Sequence, residues 1–394
     1  MDSTVHRFAY PDGTTQRVQL VRLPDWDSLE FLNLKGTPEA LDCFERIYRK
    51  HLVPACPWIF GRLRLFREAA SGDCREVRGK LPFRKHIPVG DNCGFLSEET
   101  GDFLVNSSFF IMDPFDCATG YDRIGTPLGL MVKDGKIENP PLYGREALLV
   151  DRDGKVEIRS LGPENLTIEI GGREYSPGDN CRVFQRPRYP FTPPGKGLRA
   201  VIIGCRVAAV GRGILPVPAS GFVLEVPRDS GLKAGDPVVF RGLENCVFGI
   251  QVGNSVMRNG VPTDRFLSRF YNIRALQPVP FPPSLYPMDF EKGRAARMVL
   301  GADRAGKPMV LWAEGAPKTG YVPGRDSRGA SLSELARLCA DLGFYNAVNL
   351  DGGGSAQILV EGRRELRISD RDQQGREVER PIPAALRVKF CLQK

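Results

Sequence analysis

Residues 331–360 read SLSELARLCADLGFYNAVNLDGGGSAQILV, and the fold is best read outward from this stretch. Ser331 and Glu334 have the spacing of a capping box, in which each side chain serves an amide otherwise left unpaired at a helix start. Leu332, Leu335, Cys339 and Leu342 then fall on one helical face, and Gly343 suits the left-handed residue that ends a helix. The short apolar run Ala347–Leu350 predicts a buried strand, and AQILVEG predicts another. Between them stand Asp351, Gly352, Gly353, Gly354 and Ser355. Three consecutive glycines cost conformational entropy, so the chain needs a geometric reason for them. One reason is a sharp hairpin. The other is close approach of a ligand to a loop whose amides form an anion-binding concavity. A carboxylate at the lip of such a loop is placed for acid–base or nucleophilic work. No Gly-Lys-Ser/Thr follows, and the dinucleotide fingerprint is absent.

Upstream, the texture from Phe95 onward is short strands and turns. PLGLMVKDGKI (127–137) and EALLVDRDGKVEIRSL (146–161) each hold two apolar runs around an Asp-Gly turn, and VMRNGVP (256–262) adds an Asn-Gly turn. LRAVIIGCRVAAVG and GFVLEVP predict further strands, and FLVNSSFFIM a buried strand running into a loop. Asp134, Asp151 and Asp153 are read as turn residues rather than metal ligands. The proline-rich LQPVPFPPSLYP (276–287) reads as an extended internal loop. Residues 1–94 read differently. Thr37 is placed as an N-cap with Pro38 at the first helical position, and Leu41, Phe44, Ile47 and Tyr48 share one face. IFGRLRLFREAA fits either a helix or a strand. The expected class is α+β: strand-rich mixed sheets with few helices, one large catalytic domain over 95–394, and a partly helical N-terminal extension over 1–94.

The 394 residues are 42% hydrophobic and 26% charged, with 43 Gly and 32 Pro, which is the balance of a globular chain rather than a disordered one. No apolar run reaches the roughly 20 residues of a membrane-spanning helix. No cationic-then-apolar leader is visible at the start, so a cytoplasmic location is expected. The net charge of +8 favours an anionic partner. The densest basic stretches, GRLRLFRE and VRGKLPFRKH, are interleaved with acidic or apolar residues, which disfavours a nucleic-acid footprint. The ten cysteines are scattered without a C-x-x-C pair, so they read as buried thiols and not as a zinc site. His6, His51 and His86 all lie early in the chain and read as structural. Chemistry further along therefore falls to carboxylates, arginines, amides and backbone.

Taken together, VNSSFF (105–110), PLGLMVKDGKI, RAARMVLGAD (294–303), the helix–glycine-loop segment and the closing RPIPAALRVKF (380–390) resemble the phosphodiester glycosidase family. That family includes the mannose-6-phosphate uncovering enzyme and bacterial proteins associated with exopolysaccharide. The resemblance runs from about Phe95 to Phe390 with the elements in family order. The family's Asn-Gly-Gly-Phe-Phe appears here as Asn106-Ser107-Ser108-Phe109-Phe110. Its Arg-x-Pro-Arg-Thr-Ala-x-Gly appears as Arg294 to Gly301, keeping both arginines and the glycine. Its Gly-Gly-Pro appears as Val252-Gly253-Asn254.

The resemblance implies hydrolysis of a glycosyl phosphodiester, releasing free sugar and a phosphomonoester; no cofactor and no metal ligand are assigned. It implies Asp351 as catalytic carboxylate, Arg297 on the phosphate with Arg294 behind it, and Asn106 on the sugar or reacting water. Asn349, Gly352, Gly353 and Ser355 would line the substrate, and Glu314 would be a second carboxylate. Plainer readings stand beside these: Arg297 pairing with a core carboxylate, Asn106 capping a turn, and Phe109 and Phe110 filling the core. The two replaced glycines also admit a non-catalytic module that binds glycan or phosphate on the same fold.

Overall fold

The computed structural model describes residues 1–40, 42–43, 93–112, 119–186, 188–189, 191–264, 266, 293–315, 321–372 and 374–388. The expected helix face at Leu41, Phe44, Ile47 and Tyr48, the segment IFGRLRLFREAA and the proline-rich 276–287 lie outside them. The N-cap at its start is described: the Ala40 amide donates to Thr37 Oγ1 at 3.2 Å.

The strand-rich α+β class holds. A seven-stranded sheet runs, in spatial order, Asp2–Ala9, Thr15–Arg22, Pro308–Ala313, Arg297–Ala302, Asn346–Asn349, Ser255–Arg258 and Val261–Pro262. A four-stranded sheet carries Ile358–Val360, Phe103–Asn106, Ala384–Val388 and Leu29–Asn33, and a five-stranded sheet is centred on Cys246–Ile250. Among the described residues every pair of named strands is antiparallel; the parallel contact is an isolated bridge, Pro177–Cys181.

The central strands of the large sheet are buried on both faces, so they read as unbroken apolar runs. Side chains alternate between two cores. Val299, Met309, Leu311 and Ala347 pack under the helix Leu332–Asp341 with Leu332, Leu335 and Cys339. Met298, Leu300, Trp312 and Val348 face the main core with Phe103, Leu148 and Phe248.

The boundary expected at residue 94 does not separate two sets of strands. Thr15–Arg22 pairs with Pro308–Ala313, and Leu29–Asn33 pairs with Ala384–Val388, so the first 33 residues are woven into the sheets of the later chain. Strand pairing across some 300 positions leaves no local mark in the sequence, because a strand's preference is set by the neighbours it meets.

The turn chemistry is as expected. Asp134 and Gly135 have φ of 50° and 76°, and Asn259 and Gly260 have φ of 49° and 78°, the paired positive angles of tight hairpins. Asp151 Oδ1 accepts from the amides of Asp153 and Lys155, which closes its turn. Of the described cysteines, Cys205 is half-buried and the other five are buried, and all are free. Burial pushes the Cys93 thiol up to about 12, so it behaves as a small apolar residue.

The capping box also forms: the Glu334 amide donates to Ser331 Oγ at 3.2 Å and the Ser331 amide to Glu334 Oε2 at 3.0 Å. Burial works against the Glu334 carboxylate, but Arg294, the Ser331 amide and Arg328 outweigh it and lower its pKa from the usual range to about 2. A carboxylate depressed by folding adds stability above its unfolded pKa, and that stability is lost as pH falls through the folded value. Glu334→Gln is therefore expected to melt below the wild type at pH 7, with the gap closing between about pH 4.5 and 2. Thermal melts across that window check it, and a gap that stays constant would contradict it.

Candidate active site

The strand Phe103–Asn106 ends beside the glycine loop, and the Asn106 side chain clamps it. Asn106 Nδ2 donates to the Asp351 carbonyl at 2.6 Å, and the Gln357 amide donates to Asn106 Oδ1 at 3.0 Å. One buried amide thus grips the entrance and the exit of the loop. The Asp351 amide adds a bond to the Ser107 carbonyl at 3.2 Å.

The other flank is the start of Arg297–Ala302. The Leu350 amide donates to the Met298 carbonyl at 2.7 Å and the Gly353 amide to the Ala296 carbonyl at 2.8 Å. Asp351 therefore sits between Asn106-Ser107 on one side and Ala296–Met298 on the other. Its Oδ1 accepts from the Gly352 amide at 2.9 Å, which orients the carboxylate.

Each of the three glycines has its own reason. A Cβ at Gly352 would lie 2.5 Å from the Ala296 carbonyl oxygen. Gly353 takes φ of 59°, a left-handed angle, and faces open space. A Cβ at Gly354 would lie 2.2 Å from Asp370 Oδ2 and 2.3 Å from Arg380 Nη2, whose ion pair of 2.8 Å lies against the loop. Of the two readings left open by the sequence, open space fits only Gly353; its neighbours are glycines because protein packs against them.

Arg297 is buried, with Nε donating to the Ala330 carbonyl at 3.0 Å and Nη2 to the Gly293 carbonyl at 2.9 Å. The guanidinium plane is thus fixed by backbone. Asn349 pairs with Val299 one step before the loop, and it exchanges backbone bonds with Gly253 and Asn254. This brings the 252–254 motif to the same region. Ser355 is fully buried in the short turn Gly353–Ser355.

Three of the expected site residues have partners of their own in the structure. Asn106 holds the loop, with its oxygen and one amide hydrogen bonded to the backbone. Arg294 is drawn away to the helix start, with Nη2 2.8 Å from Glu334 Oε1, since the capping carboxylate needs countercharge. Glu314 is buried among Arg17 at 3.4 Å, the Ser327 hydroxyl and the Arg367 amide at 2.8 Å, and none of these described partners belongs to the glycine loop. It ties the first hairpin to the chain around 367.

The sequence reading passed over Arg145, a buried cation whose Cζ lies 5.8 Å from the centre of the Phe109 ring. No motif marks Arg145; only the aromatic after Asn106 hinted at a cationic neighbour. Among the described residues, no three His, Cys, Asp or Glu side chains gather in a way that could hold a metal ion.

Residues 229–389 match the family model described as phosphodiester glycosidase. The chain resembles the phosphodiester glycosidases. The match covers a little under half of the chain and includes Arg297 and the whole glycine loop, while Asn106 lies ahead of it. Human N-acetylglucosamine-1-phosphodiester alpha-N-acetylglucosaminidase is 35% identical over 68 residues, which are 17% of this chain and 12% of that protein. A hypothetical protein from Synechocystis aligns over 98% of this chain and 62% of its own, at 16% identity and a TM-score of 0.48. The catalytic domain of the zebrafish N-acetylglucosamine-1-phosphodiester alpha-N-acetylglucosaminidase aligns over 99% of this chain and 83% of its own, at 15% identity and a TM-score of 0.42. Among the described residues, no helix is long and apolar enough to cross a membrane.

Proposed function

We propose that the chain hydrolyses a glycosyl phosphodiester at the anomeric carbon, yielding free sugar and a phosphomonoester. The observation that carries this reading is the position of Asp351, held between Asn106-Ser107 and Ala296–Met298 with its carboxylate oriented by the next amide. The phosphodiester glycosidase match over the loop and Arg297, and the sugar-1-phosphodiester named for the human relative, support the same substrate class.

The chemistry suits the residues. Cleavage at an anomeric carbon passes through an oxocarbenium-like state, which a carboxylate such as Asp351 stabilises or traps. The departing phosphomonoester has a second pKa of about 6, so it leaves without strong help from a general acid. Such chemistry can therefore work without a histidine. Arg297 offers phosphate oxygens a planar fork that stays charged at any working pH. Asn106 acts as a positioning residue, keeping Asp351 in register with that fork.

A panel of glycosyl phosphodiesters, with the matching sugar phosphomonoesters as controls, tests the reading through release of reducing sugar. Release from the diesters supports it. Binding without release would favour the glycan- or phosphate-binding module that the replaced glycines admit. Within the panel, Arg297→Lys is expected to weaken competition by inorganic phosphate about tenfold or more, because a bidentate charge-assisted contact becomes a single point contact. Competition by the free sugar should hardly move. Equal losses for phosphate and sugar would take Arg297 away from the phosphate.

A further inference from the structure

The loop that follows Asp351 is pressed at Gly354 by charged groups. A Cβ there would lie 2.2 Å from Asp370 Oδ2 and 2.3 Å from Arg380 Nη2, so both side chains stand directly against the backbone. They act as one unit: Arg380 Nε donates to Asp370 Oδ2 at 3.0 Å, and Nη2 lies 2.8 Å from the same oxygen. The pair is nearly enclosed, with the arginine side chain 11% and the aspartate side chain 20% exposed. Backbone bonds set its position. The Val378 amide donates to the Asp370 carbonyl at 3.1 Å, an isolated bridge pairs Arg371 with Glu377, and the Asp372 amide donates to the Arg376 carbonyl at 2.9 Å, so Asp370 and Arg380 come from two facing arms. Arg380 Nη1 also donates to Met112 Sδ at 3.8 Å, on the chain that runs on from Asn106–Phe110. Arg371 stays out of the pair, its guanidinium donating to the Ile368 and Asp370 carbonyls.

We infer that Asp370 and Arg380 are positioning residues for the reacting carboxylate, a rigid wall that keeps the glycine loop, and with it Asp351, in register. This rests on the proposed hydrolysis and adds to it two side chains that need not touch the substrate. Asn106 grips the loop's entrance and exit, and the Gly353 amide is bonded to the Ala296 carbonyl at 2.8 Å. The ion pair meets the next residue. A planar guanidinium held on a carboxylate by two hydrogen bonds keeps a fixed plane, which a flexible aliphatic side chain does not. An ion pair so enclosed adds little stability over apolar groups of similar volume, so its value at Gly354 lies in geometry. A shift of about 1 Å in the loop is enough to misplace the carboxylate and slow the reaction.

The test uses the full chain carrying Arg380→Ala, Arg380→Lys, Gly354→Ala, or Gly354→Ala with Arg380→Ala. For each, kcat and KM for a glycosyl phosphodiester, inhibition by inorganic phosphate, and deuterium exchange of peptides covering residues 350–357 are measured. Exchange in the helix Leu332–Asp341 serves as the control for global opening. Arg380→Ala is expected to lower kcat about ten- to hundredfold, with KM and phosphate inhibition within about twofold of wild type. Exchange in the loop should quicken about tenfold while the helix holds. Arg380→Lys, which keeps the charge without the fork, should lose kcat in the same direction. Because the pair acts through Gly354, the double variant should lose little more than the worse single one. Losses that multiply in the double variant would overturn the inference. Phosphate inhibition weakened along with kcat would overturn it too, by making Arg380 a phosphate ligand. Faster exchange in helix and loop alike would reduce the pair to a support of global stability. If the wild type releases no sugar, the hydrolysis falls and loop exchange alone decides the positioning role; turnover with kcat and loop exchange unmoved by Arg380→Ala keeps the hydrolysis and removes that role.

Discussion

Asp351→Asn is expected to lower the rate of sugar release by about 10³- to 10⁴-fold, the upper range for losing a reacting carboxylate. The fold should survive. Asp351 Oδ1 accepts from the Gly352 amide at 2.9 Å, and an asparagine oxygen can accept the same bond. The Asp351 carbonyl and amide remain held by Asn106 and Ser107, because those bonds are made by backbone atoms of residue 351. A thermal midpoint close to wild type, together with single-turnover release near background, is the expected pair of results. Wild-type turnover in this variant would remove Asp351 from the chemistry.

Asn106→Ala should produce the largest loss of stability. It strands the Asp351 carbonyl and the Gln357 amide in the interior, and each stranded group costs about 1–3 kcal/mol, so the total is about 2–6 kcal/mol. Activity should fall in the fraction that still folds, because a loop displaced by about 1 Å misplaces the carboxylate and costs on the order of 10²-fold. Urea titration gives the first number, and kcat in native buffer the second. A variant with normal stability and a raised KM alone would return Asn106 to direct contact with the sugar.

Much of this architecture is legible in the sequence where it depends on neighbours in the chain. The capping box at Ser331 and Glu334, the left-handed Gly343 and the hairpins at Asp134-Gly135 and Asn259-Gly260 are local matters of backbone angle and amide pairing, and each forms where the residues indicate. That the three glycines after Asp351 need a geometric reason is legible too, but the reasons themselves are not. Gly354 is required by an ion pair between Asp370 and Arg380, which no spacing announces. Asn106 reaches partners 245 and 251 positions away, so its role as a clamp appears only once the sheets assemble. Glu314 and Arg294 show the converse. Both align with family positions, yet local countercharge, from Arg17 in one case and Glu334 in the other, takes up their side chains. The first hairpin was hidden for the same reason: its strand Thr15–Arg22 gains its place from pairing with Pro308–Ala313.

Hydrolysis at the sugar's anomeric carbon is tested most directly by running the reaction on a glycosyl phosphodiester in water enriched in ¹⁸O and locating the label by mass spectrometry. With Asp351 acting at the anomeric carbon, the isotope enters the released sugar and the phosphomonoester stays unlabelled. Label in the phosphate would mean that water attacks phosphorus, and the account of this site as a glycosidase site would be wrong.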